Sequence, residues 1–247
     1  MSGLWVGLVY STIAALGNVA GGLVLLLRGQ WSARALKTSL AFAGGFMLAA
    51  AMLGMLPESL HAMPEWGPAL AVLGYMSVHF LEHVVGRHYH FAGDQHGSHH
   101  LVSTGVTAAA VFAMLVHTFF DGVAISSAFV AGKRLGTVVF LAVVLHKIPA
   151  GFAISTVVHA GGSSRQRGFF AAVLLGLGTV LGSIALVVAG PVAKYAIPLS
   201  AGTLIHVAAS DLIPEVNEGE RWPITATVIA GGLVFFLLML LLGPNLH

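Results

Sequence analysis

His117 and Asp121 stand four residues apart inside a long apolar run, HTFFDGVAIS, and 29 residues later the chain nearly repeats itself as HKIPAGFAIS, with His146 and Lys147. A spacing of four puts His117 and Asp121 on one face of a helix. Imidazole nitrogen and carboxylate oxygen together suit a divalent transition ion: Zn²⁺ first, with Fe²⁺, Mn²⁺, Co²⁺ or Cd²⁺ as relatives in chemistry. Mg²⁺ and Ca²⁺ take oxygen ligands and would not draw on two histidines. An ionisable side chain at mid-bilayer costs at least about 2.5–3.5 kcal/mol on insertion scales, so four in adjacent apolar segments require a compensating role. The bland alternative is an internal Asp121–Lys147 ion pair, with the histidines bonded to neighbouring helices.

The elements that position these residues must be membrane helices. Of 247 residues, 57% are hydrophobic and only 8% charged, too few charges for the surface of a soluble domain. Apolar segments at about 3–27, 38–60, 66–86, 103–131, 135–159, 168–190, 193–215 and 223–243 are long enough to cross a bilayer as helices. The expected class is all-α: one polytopic bundle over residues 1–247, with eight transmembrane helices and inverted-repeat character. Connections are short except 87–102, RHYHFAGDQHGSHHLV, which carries His88, His90, His96, His99 and His100. Arg28, Arg34, Lys37, Arg87, Arg165, Arg167 and Arg221 gather on one side, and Lys133, Arg134 and Lys194 on the other. The positive-inside rule then places the His-rich loop in the cytoplasm and both termini outside. The N-terminus lacks the positive region of a signal peptide, so the first apolar run is expected to stay as a helix.

Composition also excludes functions. With no cysteine, thiolate metal sites, disulfides and thiol catalysis are ruled out. The basic residues sit at helix ends and form no stripe, so no nucleic-acid partner is expected. The expected partners are a metal ion and the lipid bilayer; a homodimer is left open. No prosthetic group is expected.

Two internal echoes bear on architecture. Spans 4 and 5 share H-x-x-x-x-G-x-A-I-S. Spans 2 and 7 align Gly45, Ala51, Pro57 and Glu58 with Gly202, Ala208, Pro214 and Glu215. The paired spans should run in opposite directions, and inverted repeats around a midplane site mark many transporters. The GxxxG spacings at Gly3/Gly7, Gly17/Gly21 and Gly178/Gly182 read as ordinary close helix packing.

HTFFDGVAIS and HKIPAGFAIS resemble the paired motifs of the ZIP family of divalent-metal transporters, and SDLIPEV is similar to that family's pattern in the seventh span. The resemblance extends over essentially the whole chain and looks most like a prokaryotic-type member in a bacterial inner membrane. It implies an eight-helix fold and a midplane transport site lined by His117, Asp121 and His146. Thr118 stands where many members have an asparagine ligand, and Lys147 where a ligand is common. Ala150 replaces the usual glutamate or histidine and is the repeat partner of Asp121. A two-metal centre is therefore not expected. Lys147 reads instead as a metal-competing cation that pairs with Asp121 until metal arrives, keeping affinity low. Met47 offers a thioether, although a buried methionine is more often packing. Glu58, His61 and Glu65 mark the outer entrance. His79, Glu82, His83, His206, Asp211 and Glu215 mark the exit toward the cytoplasm. Protonation of histidine and carboxylate ligands should make flux depend on pH.

Two rivals remain. Residues 79–83, HFLEH, form the H-x-x-E-H pattern in which two histidines bind zinc and a glutamate acts as base, so an intramembrane metalloprotease is an alternative. The other is a membrane sensor that binds metal without transporting it.

Overall fold

A computed structural model describes residues 3–28, 32–85, 104–190, 195–216 and 221–241. The described residues form eight helical rods, with no strand among them. The first is α1 (Gly3–Arg28). The second joins α2 (Ala33–Ala49) to α3 (Leu56–Ala62) through a π-helical turn at Ala50–Met55. Then come α4 (Gly67–Val85), α5 (Thr104–Ala131), α6 (Lys133–Ala160) and α7 (Arg165–Ala189). The seventh rod joins α8 (Ala196–His206) to α9 (Ile213–Val216) through a second π-helical turn at Val207–Leu212. The last is α10 (Arg221–Leu241). Six rods are long and apolar enough to cross a membrane, while Gly67–Leu81 and Ala196–Leu212 are shorter apolar stretches. The seventh rod as a whole, Ala196–Val216, rises about 31 Å at ~1.5 Å per residue, close to the ~30 Å hydrocarbon core. The chain is thus an all-α, multi-pass membrane bundle. The His-rich loop lies outside the described residues.

Helix ends follow local chemistry. Ser32 caps α2 by accepting from the Ala35 amide, and Ser164 caps α7 by accepting from the Arg167 amide. Gly190 ends α7 at φ +51°, a conformation that costs glycine little. Only Gly132 separates α5 from α6, so the two site-bearing helices form a tight antiparallel pair. Outward faces are apolar and exposed, for example Leu16, Phe170 and Leu241, as a lipid-facing surface requires.

Four helices wrap one another: α1 packs on α5, α6 and α7, and α5 also packs on α6 and α7. A second group pairs α10 with α2 and α4 with α8. The groups meet where α2 crosses α6 and where α5 crosses α8. These contacts repeat under an internal pseudo-two-fold. A side chain at Gly45 would strike the Val228 carbonyl, and one at Gly202 would strike that of Ala71. Gly231 lies as tightly on Phe42, and Gly74 on Leu199. Each second pair is the image of the first under the register that aligns spans 2 and 7. Both π-helical turns fall at that same register. The Leu56 amide bonds the Ala51 carbonyl, and the Ile213 amide bonds the Ala208 carbonyl, each five residues back. The cause is the next residue, Pro57 or Pro214. A proline ring collides with the carbonyl four residues before it, and the widened turn moves that carbonyl aside.

The repeat also joins α1 to α7, whose GxxxG spacings read in the sequence as ordinary small-residue packing. Gly122 of α5 lies on the Thr179 backbone, and Gly151 of α6 on that of Asn18. Gly182 lies on Phe119, and Gly21 on Ile148. Gly178 abuts Thr118, and Gly17 abuts Lys147. Each pair maps to the next when α5 is exchanged with α6 and α7 with α1. The signal in the sequence is GNVAGG at 17–22 against GTVLGS at 178–183.

Candidate metal centre

The site grows from the α5–α6 pair. His117 and Asp121 project from one face of α5, and His146 from the facing turn of α6. All three are buried: His117 is 8% exposed, Asp121 2% and His146 1%. His146 Nδ1 lies 3.4 Å from the Ala142 carbonyl of its own helix, which turns Nε2 toward α5. The two imidazoles meet edge to face at 85°.

Three donor atoms converge. His117 Nε2 to His146 Nε2, His117 Nε2 to Asp121 Oδ2, and His146 Nε2 to Asp121 Oδ2 are each 3.4 Å. These are the three edges of an equilateral triangle. Two ligands of a tetrahedral ion lie about 1.6 bond lengths apart, so 3.4 Å edges correspond to bonds of about 2.1 Å, the Zn²⁺ range for nitrogen and oxygen. On an octahedral ion the same face would need bonds of about 2.4 Å, too long for Mg²⁺. Among the described residues this is the one cluster of histidine and carboxylate donors close enough to share an ion.

Lys147 is fully buried beside the triangle. Its Nζ donates to Asp121 Oδ2 at 2.8 Å and to Thr179 Oγ1 at 2.8 Å. The ammonium therefore shares the carboxylate oxygen that forms the third vertex. Thr179, from α7, was not singled out by sequence reading. A lone threonine in an apolar helix carries no local signal, and only the packing of α7 against α6 gives it a role. Thr118 points elsewhere: it is buried, donates to the Leu115 carbonyl at 3.1 Å and packs at Gly178. Met47 is fully buried in the apolar core that also holds Ala124, Ile125 and Val143.

None of the other sequence-marked residues with described side chains joins the triangle. Glu58 is half-buried and His61 exposed on α3, and Glu65 is exposed just beyond it. A second polar group forms between α4 and α8. His206 Nε2 lies 3.4 Å from His79 Nδ1, and His206 Nδ1 lies 3.5 Å from Asp211 Oδ2. The Tyr75 ring covers both imidazoles, and its hydroxyl bonds Ser210 Oγ at 2.8 Å. His206 is buried, whereas Asp211 is 28% exposed. The side chains of Glu82, His83 and Glu215 lie outside the described residues.

The chain is similar to known zinc transporters. The chain is 31% identical over 146 residues to the human zinc transporter SLC39A7, covering 54% of this chain and 30% of that one. It is 32% identical over 110 residues to zinc transporter zipt-7.1 of Caenorhabditis briggsae, covering 42% and 28%. It is 25% identical over 135 residues to zinc transporter zipt-7.2 of Caenorhabditis elegans, covering 51% and 29%. The chain thus spans about 30% of the length of these relatives. The model of the ZIP zinc transporter family matches residues 93–243, more than half of the chain and inclusive of both site-bearing helices. With that match, this protein belongs to the ZIP zinc transporter family.

Proposed function

We propose that this protein carries a divalent transition-metal ion, Zn²⁺ above Fe²⁺, Mn²⁺ or Cd²⁺, from outside the cell into the cytoplasm. The observation that supports this most is the buried triangle of His117, His146 and Asp121, with edges suited to tetrahedral Zn²⁺ far along both helices from their ends. Family membership points to a transporter rather than an enzyme. In this reading residues 1–247 act as one transmembrane domain in a bacterial inner membrane, with both termini outside. Glu58, His61 and Glu65 attract metal at the entrance. His79, His206 and Asp211, with Glu82, His83 and Glu215, pass it out. Asp211 would orient His206 through Nδ1 and leave Nε2 beside His79, an arrangement in which a carboxylate steadies a metal-binding imidazole.

Binding at the midplane must strip most water from the ion, and three protein donors replace it. Lys147 limits how tightly they hold. When a dication takes Asp121 Oδ2, the ammonium loses much of its partner yet stays within the same low-dielectric space. That repulsion favours release over storage. Thr179 keeps the ammonium in place meanwhile.

Purified protein in liposomes, assayed for ⁶⁵Zn²⁺ uptake, tests the proposal. Wild type should accumulate zinc, and His117→Ala and Asp121→Ala should lower uptake by about tenfold or more, since each removes one of three ligands. Zinc binding without flux in the wild type would make the protein a sensor instead. Wild-type flux in either variant would refute the site.

A further inference from the structure

The pseudo-two-fold exchanges His117 with His146 and Asp121 with Ala150. Applied to the donor triangle, it keeps the two imidazoles as a pair and carries the Asp121 vertex to a fourth point on the Ala150 side. A tetrahedral ion held by the three donors has a fourth position left to fill. A methyl group cannot ligate an ion, so an ion held there would draw its fourth ligand from solvent. Zinc sites with three protein ligands commonly keep such a position.

The same exchange carries Thr179 to Asn18. Asn18 is fully buried, and neither its Oδ1 nor its Nδ2 has a hydrogen-bond partner. It lies where α1 presses on α6. A Cβ at Gly151, the residue after Ala150, would come within 2.7 Å of Asn18 Cα, and one at Gly17 within 2.8 Å of Lys147 Cβ. A buried primary amide with both ends idle is costly, and apolar residues of similar size were open to this position. Thr179 stands behind Asp121 by holding Lys147; Asn18 stands in the equivalent place behind Ala150.

We propose that Asn18 is a positioning residue of the metal centre, accepting through Oδ1 a hydrogen bond from the water that completes the ion's coordination above Ala150. This rests on the metal-centre reading and adds a helix to it: α1, which contributes none of the three ligands. The amide plays the part that a carboxylate at position 150 would otherwise fill by direct ligation.

The test is Co²⁺ titration of the purified protein, following the visible absorption of the tetrahedral ion together with melting temperature. Asn18→Leu should weaken Co²⁺ binding by about tenfold or more, the range for outer partners of metal ligands. Its melting temperature without metal should be unchanged or higher, because an idle buried amide has gone; a structural role would lower it. Asn18→Asp should tighten binding. Ala150→Glu supplies the fourth ligand directly, so Asn18→Leu in that background should cost little. Ser11→Ala, at a buried hydroxyl of α1 that likewise has no partner, should leave binding as it was. Unchanged affinity in Asn18→Leu, or an equal loss with and without Glu at 150, would overturn the proposal while leaving the three-ligand site standing. A wild type that binds no Co²⁺ would bring down the metal centre itself, and this inference with it.

Discussion

At the scale of residues, the centre joins opposite charges that neither water nor a long surface side chain could supply. Asp121 and Lys147 are both sealed from solvent and 2.8 Å apart. Breaking one member of a buried pair leaves the other uncompensated, at about 3–5 kcal/mol, whereas replacing both together is often nearly neutral. Asp121→Asn should therefore destabilise the metal-free protein strongly, and adding Lys147→Met should restore much of the loss. Thermal unfolding of the two single variants and the double variant checks this; additive losses would count against the pair as the stabilising unit. In the proposed mechanism the same lysine opposes the dication, so Lys147→Asn should raise zinc affinity by about tenfold or more, given that unit charges at 4 Å interact by about 4 kcal/mol at an effective dielectric of 20. Binding calorimetry reads it, and unchanged affinity and uptake would remove the lysine from the mechanism.

At the scale of elements, the second and seventh rods are each interrupted by a π-helical turn of the same cause. Pro57 and Pro214 each follow a π-helical turn whose amide-to-carbonyl bonds reach back five residues. The second turn begins just after His206 and includes Asp211, so its register decides where the Asp211 carboxylate, proposed for the exit, faces relative to that imidazole. Pro214→Ala returns an amide donor and lets the turn relax toward α-geometry, which would rotate Asp211 away. Uptake should fall by about threefold or more, with melting temperature held or raised, since an exposed proline has been replaced by a good helix former. Proteoliposome flux and thermal unfolding together check it; undiminished flux would leave the turn without a transport role. The prolines and their shared flank were legible in the sequence. The π-turns were not, because a five-residue hydrogen bond leaves no mark on apolar periodicity.

At the scale of the whole molecule, the pseudo-two-fold ties the four-helix group and the α2/α4/α8/α10 group to one plan. The orientation proposed from Lys and Arg placement can be read directly because the chain has no cysteine. Single cysteines at Glu65 and Gln166, both exposed, should react with a membrane-impermeant maleimide from opposite sides of intact cells: Glu65→Cys from outside, and Gln166→Cys only after permeabilisation. Labelling of both from outside would refute the topology.

Half of the repeat could be read before any coordinates, and half could not. Spans 4 and 5 betray themselves because histidine, aspartate and lysine are expensive in hydrocarbon, so their spacing stands out from an apolar background. Spans 1 and 6 do not, because glycine is common here, 31 residues, and a GxxxG spacing carries little information. Only contact pairs such as Gly122 on Thr179 and Gly151 on Asn18 reveal them.

The amino-acid sequence by itself determined that this chain is a helical membrane protein and that three of its polar side chains suit a transition-metal ion. Hydrophobic periodicity and ligand chemistry are local properties, readable one segment at a time. The tertiary structure alone decided that the three donors form a triangle of equal edges, that Lys147 is held by Thr179, and that Asn18 is buried without a partner where α1 meets Gly151 of α6. Those relations join helices distant along the chain, and which neutral side chain faces a site depends on how the backbones cross.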